Sequence, residues 1–229
     1  MTVSFLRHNS FFSPQDAQDF TLNIIGVGAT GSWVGLLAAK MGWHNFQVWD
    51  ADTVESHNCP NQIYNLSQVG SKKVDAFETT LKEFNPDIIV TKHDCFFEAE
   101  KHADCLSDYV FVAVDTNTAR KDILGCLISN PSVDLVFESK MGFNHAVINV
   151  IDPFDTVQIE GLQSALLDDS EVPESACNAR IMTTLTTIVA SNIAHVLCNH
   201  CSSSRRNTVF TYKKNTVLSL DQTLNLYAS

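Results

Sequence analysis

The sequence has little of what loosens a chain: 9 glycines and 6 prolines among 229 residues, with 18% charged side chains. Disordered and collagen-like classes are thereby excluded. Positive charge is also scarce. There are 15 Lys and Arg against 26 Asp and Glu, a net charge of −11 with neutral histidines, whereas gripping a nucleic-acid backbone takes clustered cations. The basic pairs Lys72 and Lys73, Arg205 and Arg206, and Lys213 and Lys214 are too short to change this, so no nucleic acid is expected as a partner. A membrane partner is not expected either. The longest apolar stretch, residues 181–197, is interrupted by four threonines, a serine, an asparagine and a histidine, which suits a buried helix better than a membrane span. Residues 1–14 contain Arg7, His8, Asn9 and several serines without the apolar centre of a secretory signal. Seven cysteines, at 59, 95, 105, 126, 177, 198 and 201, are an odd number and widely scattered. Free thiols in a reducing, cytoplasmic compartment are the expectation.

What is present is core. Hydrophobic residues make up 45% of the chain, with 14 Phe, 4 Tyr and 3 Trp, enough for one large domain or a domain with an appendage. From Leu22 onward, short apolar runs alternate with helical patterns, which argues for parallel strands joined by crossover helices. Strands are read at 22–26, 45–50, 87–91, 109–114 and 133–138, and helices at 30–41, 70–84 and 117–129, with a further short one at 98–106. A strand at 146–151 is followed by an acidic, loop-like stretch over 152–175, in which Asp168 and Asp169 read as solubilising charges. A long helix over about 178–199 comes next, then two strands, 208–212 and 216–220, around a short turn. No internal repeat or Pro-rich linker is discernible. The pattern is that of one α/β domain with an irregular C-terminal third.

Residues 22–33 read L-N-I-I-G-V-G-A-T-G-S-W. An apolar strand runs into G-x-G-x-x-G and a helix pattern begins behind it. In that setting Gly26 allows a tight turn, Gly28 lets backbone approach a phosphate, and Gly31 lets helix pack on strand. The N–H groups opening the helix attract anions. Asp50 ends the next strand, 19 positions after Gly31, where an acid can bond a ribose hydroxyl. An adenosine-containing nucleotide is the expected ligand. By the glycine motif and Asp50 alone, it could be the NAD of an oxidoreductase.

Residues 50–62, D-A-D-T-V-E-S-H-N-C-P-N-Q, bear on that choice. They resemble the ThiF/MoeB/HesA family, the bacterial relatives of ubiquitin-activating enzymes, whose segment runs D-x-D-T-V-x-x-S-N-L-x-R-Q. Asp50, Asp52, Thr53, Val54, Asn58 and Gln62 match it in register. Gly70 to Val74 resembles the family's G-x-x-K-V/A, with Lys73 as its lysine; Asn85-Pro86 fits an N-P that closes the following helix; and Val112 to Arg120 resembles a strand followed by D-N-x-x-x-R, with Asp115 as its acid. The resemblance covers about Gly26 to Ile151. It implies a Rossmann-like, mostly parallel sheet flanked by helices, ending in short antiparallel strands. It also implies a single adenylation domain over 1–229, with the nucleotide-binding core at about 20–151 and a crossover loop, long helix and terminal hairpin at about 152–229.

The implied chemistry is attack on the α-phosphate of ATP by a carboxylate, usually the C-terminal glycine of a small ubiquitin-like protein or a peptide, giving an acyl-adenylate and pyrophosphate. Asp50 would take the ribose, with Asp52 and Gln62 also in the nucleotide site, and Asn58 and Lys73 would meet the phosphates. Asp115 would hold Mg²⁺, a hard cation that prefers oxygen. The family often pairs as a homodimer that delivers an N-terminal arginine across the interface, a part for which Arg7 is the candidate. The apolar 181–197 helix also suits a homodimer. Cys177, just before the long helix, falls where some relatives carry an acyl-accepting cysteine, and Arg180 is near it. Plainer roles exist for several of these: Lys73 as a solvated helix lysine, Asp115 as a helix N-cap, Cys177 as an inert thiol and Arg7 as a surface arginine.

One position departs from the pattern. Asn61 stands where the family has arginine, and an amide does not neutralise phosphate charge. Either another cation substitutes (Lys72, or Arg7 from a partner subunit), or adenylation is slow or absent and the chain is a nucleotide-binding interaction module. A structural zinc site is not expected: Cys198-Asn-His-Cys201 is one C-x-x-C half-site with no second one, though His195 and His200 lie close in sequence.

Overall fold

A computed structural model describes residues 3–142, 145–171, 183–206 and 211–219. In chain order, α1 (Pro14–Ala17) precedes β1 (Thr21–Ile25), α2 (Ala29–Met41), β2 (Asn45–Trp49), α3 (Lys73–Phe84), β3 (Ile89–His93), α4 (Ala99–His102) and β4 (Asp108–Val112). There follow α5 (Asn117–Leu127), β5 (Val133–Met141), β6 (His145–Ile151), α6 (Thr156–Ser164), α7 (Thr183–Arg206) and β7 (Asn215–Ser219). The strands form one seven-stranded sheet in the order β3-β2-β1-β4-β5-β6-β7. β1 to β5 pair in parallel, while β6 and β7 are antiparallel. This is the Rossmann-like α/β architecture that the alternating pattern predicts. Strand order reverses between β1 and β4, and the carboxyl ends of those strands flank the crevice where such sheets take ligands.

Successive strand side chains point to opposite faces, and each face buries its own core. Leu22 and Ile24 of β1 join Phe46, Phe111 and Phe137 under α2, α3 and α7. Ile25, Val110, Val112 and Val136 pack against α5 and α6 on the other face. In α7 a stripe of Leu185, Val189, Ile193, Leu197 and Cys201 is buried, while Thr184, Ser191 and His195 are exposed. The stripe lies mainly against α2. Most of the apolar surface that suggested a dimer interface on this helix is therefore covered within the chain, with Ile188 and Val196 half-buried and residues 181–182 outside the described residues. Cys198 and Cys201 sit in the same core; burial raises the Cys198 thiol and takes Cys201 to about 12. Among the described residues no group of three or more His, Cys, Asp or Glu could hold a metal ion, and no helix is long and apolar enough to cross a membrane.

Several boundaries differ from the sequence expectation. The stretch read as loop over 152–175 contains α6, whose first turn is capped by the Asp155 carboxylate accepting from Gln158 N. β5 runs on to Met141, and α7 continues through the C-x-x-C to Arg206. Of the two strands expected near the C-terminus, the second is present as β7, and its partner is β6. Of the first, residues 208–210 lie outside the described residues, and 211–212 are not in a strand.

Candidate active site

The turn after β1 is shaped by close approaches. Gly26 has φ +95°, and a Cβ there would stand 2.6 Å from the Ala113 carbonyl oxygen at the end of β4. A Cβ on Gly31 would meet the Gly26 carbonyl oxygen at 1.9 Å, so the helix sits on its strand only because position 31 has no side chain. Gly28 differs: a Cβ there would touch nothing within 4 Å. Gly28 is also the N-cap of α2, and no side chain among the described residues caps that helix. Its first N–H groups face open space, the arrangement that receives phosphate.

Beside this turn Asp50 follows β2, 9% exposed. Its Oδ2 accepts from Val27 N and its Oδ1 from Asp52 N, each at 2.9 Å. Burial pushes its carboxyl above the ordinary range, opposed by the charge of Lys73 and by those two N–H groups. Lys73 opens α3 and is not a solvated lysine: it is 7% exposed, with Nζ 2.6 Å from Asp52 Oδ2 and 3.9 Å from Asp50 Oδ1. Lys73 N also donates to the Asp52 carbonyl at 2.9 Å, so backbone and side chain clamp the two segments together. Lys72 points elsewhere, 3.2 Å from Asp94.

Residues 58–64 lie along the start of α2. Asn58 Oδ1 accepts from Glu55 N at 2.8 Å and closes a 3₁₀ turn. The Trp33 indole N–H donates to the Asn61 carbonyl at 3.0 Å, and the Tyr64 hydroxyl donates to the Val27 carbonyl at 2.6 Å. Among the described residues Asn61 Oδ1 and Gln62 Oε1 are buried without a hydrogen-bond partner, which fits a site that a polar ligand completes.

Across the crevice, Asp115 is exposed and makes no hydrogen bond or ion pair among the described residues. It is not the cap of α5. Thr116 is the N-cap, its hydroxyl accepting from Ala119 N at 3.4 Å. Asp169 bonds the N–H groups of Asn117 at 2.7 Å and Thr118 at 3.1 Å, so it is a helix cap rather than a solubilising charge. The N-terminus of α5 is thus filled by a carboxylate of the chain, whereas that of α2 is left open. Arg120 reaches back from α5 to bond the Val114 carbonyl, the Ser139 carbonyl at 2.8 Å and the Glu138 carboxylate.

The fold therefore gathers Gly26, Gly28, Gly31, Asp50, Asp52, Lys73, Asn58 and Gln62 on one side of the crevice, with Asp115 opposite. Arg7 is not brought there. It is exposed, two residues from Phe5, which lies against Gly42 and Phe84. Gly42 ends α2, and a helix of that length puts its far end about 20 Å away. Cys177 and Arg180 lie outside the described residues. Tyr64, Glu138 and Asp169 carry structural parts of the site that no local motif announced.

The model of the ThiF family matches residues 13–225. Among curated proteins, the chain is similar to ubiquitin-like modifier-activating enzyme 5 of Branchiostoma floridae, 32% identical over 137 residues, which cover 56% of this chain and 30% of that protein. The same enzyme of Bombyx mori is 26% identical over 167 residues, covering 72% of this chain and 40% of the relative. The chain thus spans less than half the length of these relatives. Among solved structures, E. coli MccB with ATP gives a TM-score of 0.72 at 14% identity, over 94% of this chain and 65% of that one. E. coli tRNA N6-threonylcarbamoyladenosine dehydratase, TcdA, gives 0.68 at 18% identity, over 85% of this chain and 91% of that one. At these identities the likeness is one of fold.

Proposed function

Since the chain belongs to the ThiF family, we propose that it is an ATP-dependent adenylyltransferase, a single adenylation domain that activates the carboxylate of a small ubiquitin-like protein or peptide as an acyl-adenylate. The observation that carries this reading is the uncapped N-terminus of α2 at the β1/β4 crevice, flanked by the Asp50–Lys73–Asp52 cluster and by the unpartnered Asp115. When bound, MgATP would supply the α-phosphate that the carboxylate attacks, with pyrophosphate as the leaving group. The chain's own task is positioning and charge neutralisation. The first N–H groups of α2 would donate to phosphate oxygens past Gly28. Asp50 retains lone pairs beyond the two backbone bonds and can accept from a ribose hydroxyl. Lys73, held in place by two acids, keeps a cation beside them, and Asn58 and Gln62 line the same side. Asp115 offers a free carboxylate for Mg²⁺, which typically needs only one or two from protein when phosphates complete its shell. Relatives named as modifier-activating enzymes support a protein or peptide as the acyl donor.

A second reading, a nucleotide-binding module without turnover, is favoured by Asn61 alone, since that position brings no charge to the crevice. The NAD reading retains only the glycine motif and Asp50. ATP–pyrophosphate exchange with candidate carboxylate partners, alongside a thermal-shift panel, separates the three. MgATP at about 100 times its dissociation constant is expected to stabilise the protein by roughly 2.7 kcal/mol, and NAD to leave it unchanged. Stabilisation by ATP with no exchange for any partner would establish the binding module; stabilisation by NAD instead would reject both ATP readings.

A homodimer now rests mainly on the family resemblance, because most of the apolar stripe of α7 is covered. Light scattering at tens of micromolar is expected to give twice the chain mass; a monomeric mass would also remove Arg7 from any site.

A further inference from the structure

Lys140 stands near the carboxyl end of β5, and both neighbouring residues are held. The preceding Ser139 carbonyl accepts from Arg120 at 2.8 Å. The following Met141 sulfur accepts from the Thr30 hydroxyl, in the first turn of α2, at 3.4 Å. β4 and β5 are parallel with Val112 opposite Glu138. Continuing that register puts Lys140 beside Val114, next to Asp115 in sequence. Lys140 thus lies at the carboxyl end of the sheet, next to the entrance to α5 and the edge of the crevice.

The ammonium group makes no ion pair or hydrogen bond among the described residues, and the residue is only partly exposed. Alternation along β5 sets its side chain on the face of Val136 and Glu138, the α5 side of the sheet, opposite that of Met141, and both Glu138 oxygens are engaged, one by Arg120 and the other by Asn149. Burial pushes the Lys140 amine below its ordinary range, opposed by the charge of Glu138 and aided by that of Arg120. A partly desolvated cation without a hydrogen-bonded counter-charge gains by meeting an anion. Of the other cations considered for the charge missing at position 61, Lys72 is paired with Asp94, and Arg7 sits at the far end of α2 in its own protomer.

We propose that Lys140 is a phosphate-binding residue of this site, supplying from β5 the positive charge that Asn61 does not. The proposal rests on the nucleotide reading above and goes beyond it in naming where the replacement cation comes from. Calorimetric titrations of the full chain and its Lys140→Gln and Lys140→Arg variants with MgATP and with adenosine test it. Lys140→Gln is expected to weaken MgATP binding by about tenfold or more and to leave adenosine binding unchanged. Lys140→Arg is expected to retain affinity for MgATP. Unaltered MgATP affinity in Lys140→Gln, or equal losses for MgATP and adenosine, would overturn the proposal while leaving ATP binding in place. A wild-type chain that binds no MgATP would instead overturn the nucleotide reading, and the role of Lys140 with it.

Discussion

Replacing Glu138 with alanine is expected to destabilise the protein by about 3–5 kcal/mol, the usual result of stranding one member of a buried ion pair. Glu138 is 1% exposed and Arg120 8%. The carboxylate is met by Arg120 on one oxygen and by the Asn149 amide, at 2.6 Å, on the other. Without it, a guanidinium remains enclosed with two carbonyls but no counter-charge, and the Asn149 amide loses its acceptor. Urea titration should show a lower midpoint with an unchanged slope, since the native and unfolded states differ little in surface from those of the wild type. The double variant Arg120→Met, Glu138→Leu should recover part of the loss, because no charge is left to desolvate. Recovery should be incomplete, because the Val114 and Ser139 carbonyls then lose the donor they share. A loss below about 1 kcal/mol for Glu138→Ala would mean that water reaches the guanidinium, as at an exposed pair.

That pair also marks where reading the sequence runs out. The glycine turn was legible because each glycine records a local constraint: the positive φ at Gly26, the contact of Gly31 with its own strand, the opening at Gly28. Asp50, Lys73 and Asp115 were legible as motif positions, but their surroundings were not. Nothing near Asp115 in sequence reveals that Thr116 and Asp169 take over the capping, because Asp169 lies 52 positions beyond Asn117. Arg120 and Glu138 are 18 residues apart on a helix and a strand, and only the sheet topology joins them. α6 was missed for a related reason: it buries only Ile159 fully, with Leu162 against the same core, so no apolar period shows. α3 begins at Lys73 rather than Gly70, because residues 66–68 form a capped 3₁₀ turn and Gly70 has φ +92°. β3 is shifted two residues from its expected place; an edge strand with exposed Ile89 carries little of the alternation that sets register.

Asp115 tests the opposite case, a side chain on which the fold does not depend. It makes no hydrogen bond or ion pair among the described residues, and the first turn of α5 is satisfied by Thr116 and Asp169 without it. Asp115→Ala is therefore expected to change stability by no more than about 0.5 kcal/mol, as a surface substitution does. Its effect on exchange should be far larger. Removing one preorganised group that stabilises transition-state charge costs about 10²–10³-fold in rate, and the acid proposed to hold Mg²⁺ should cost at least that much. The exchange rate measured against Mg²⁺ concentration separates the causes. If Asp115 holds the ion, Asp115→Asn should need more Mg²⁺ for half-maximal rate and recover some activity at high concentration, because an amide oxygen is a weaker ligand than a carboxylate. Asp115→Ala should recover less. A rate loss with the Mg²⁺ dependence unchanged in both variants would remove Asp115 from the metal site. A large drop in melting temperature would show instead that Asp115 supports the entrance to α5, a part that the geometry assigns to Thr116 and Asp169.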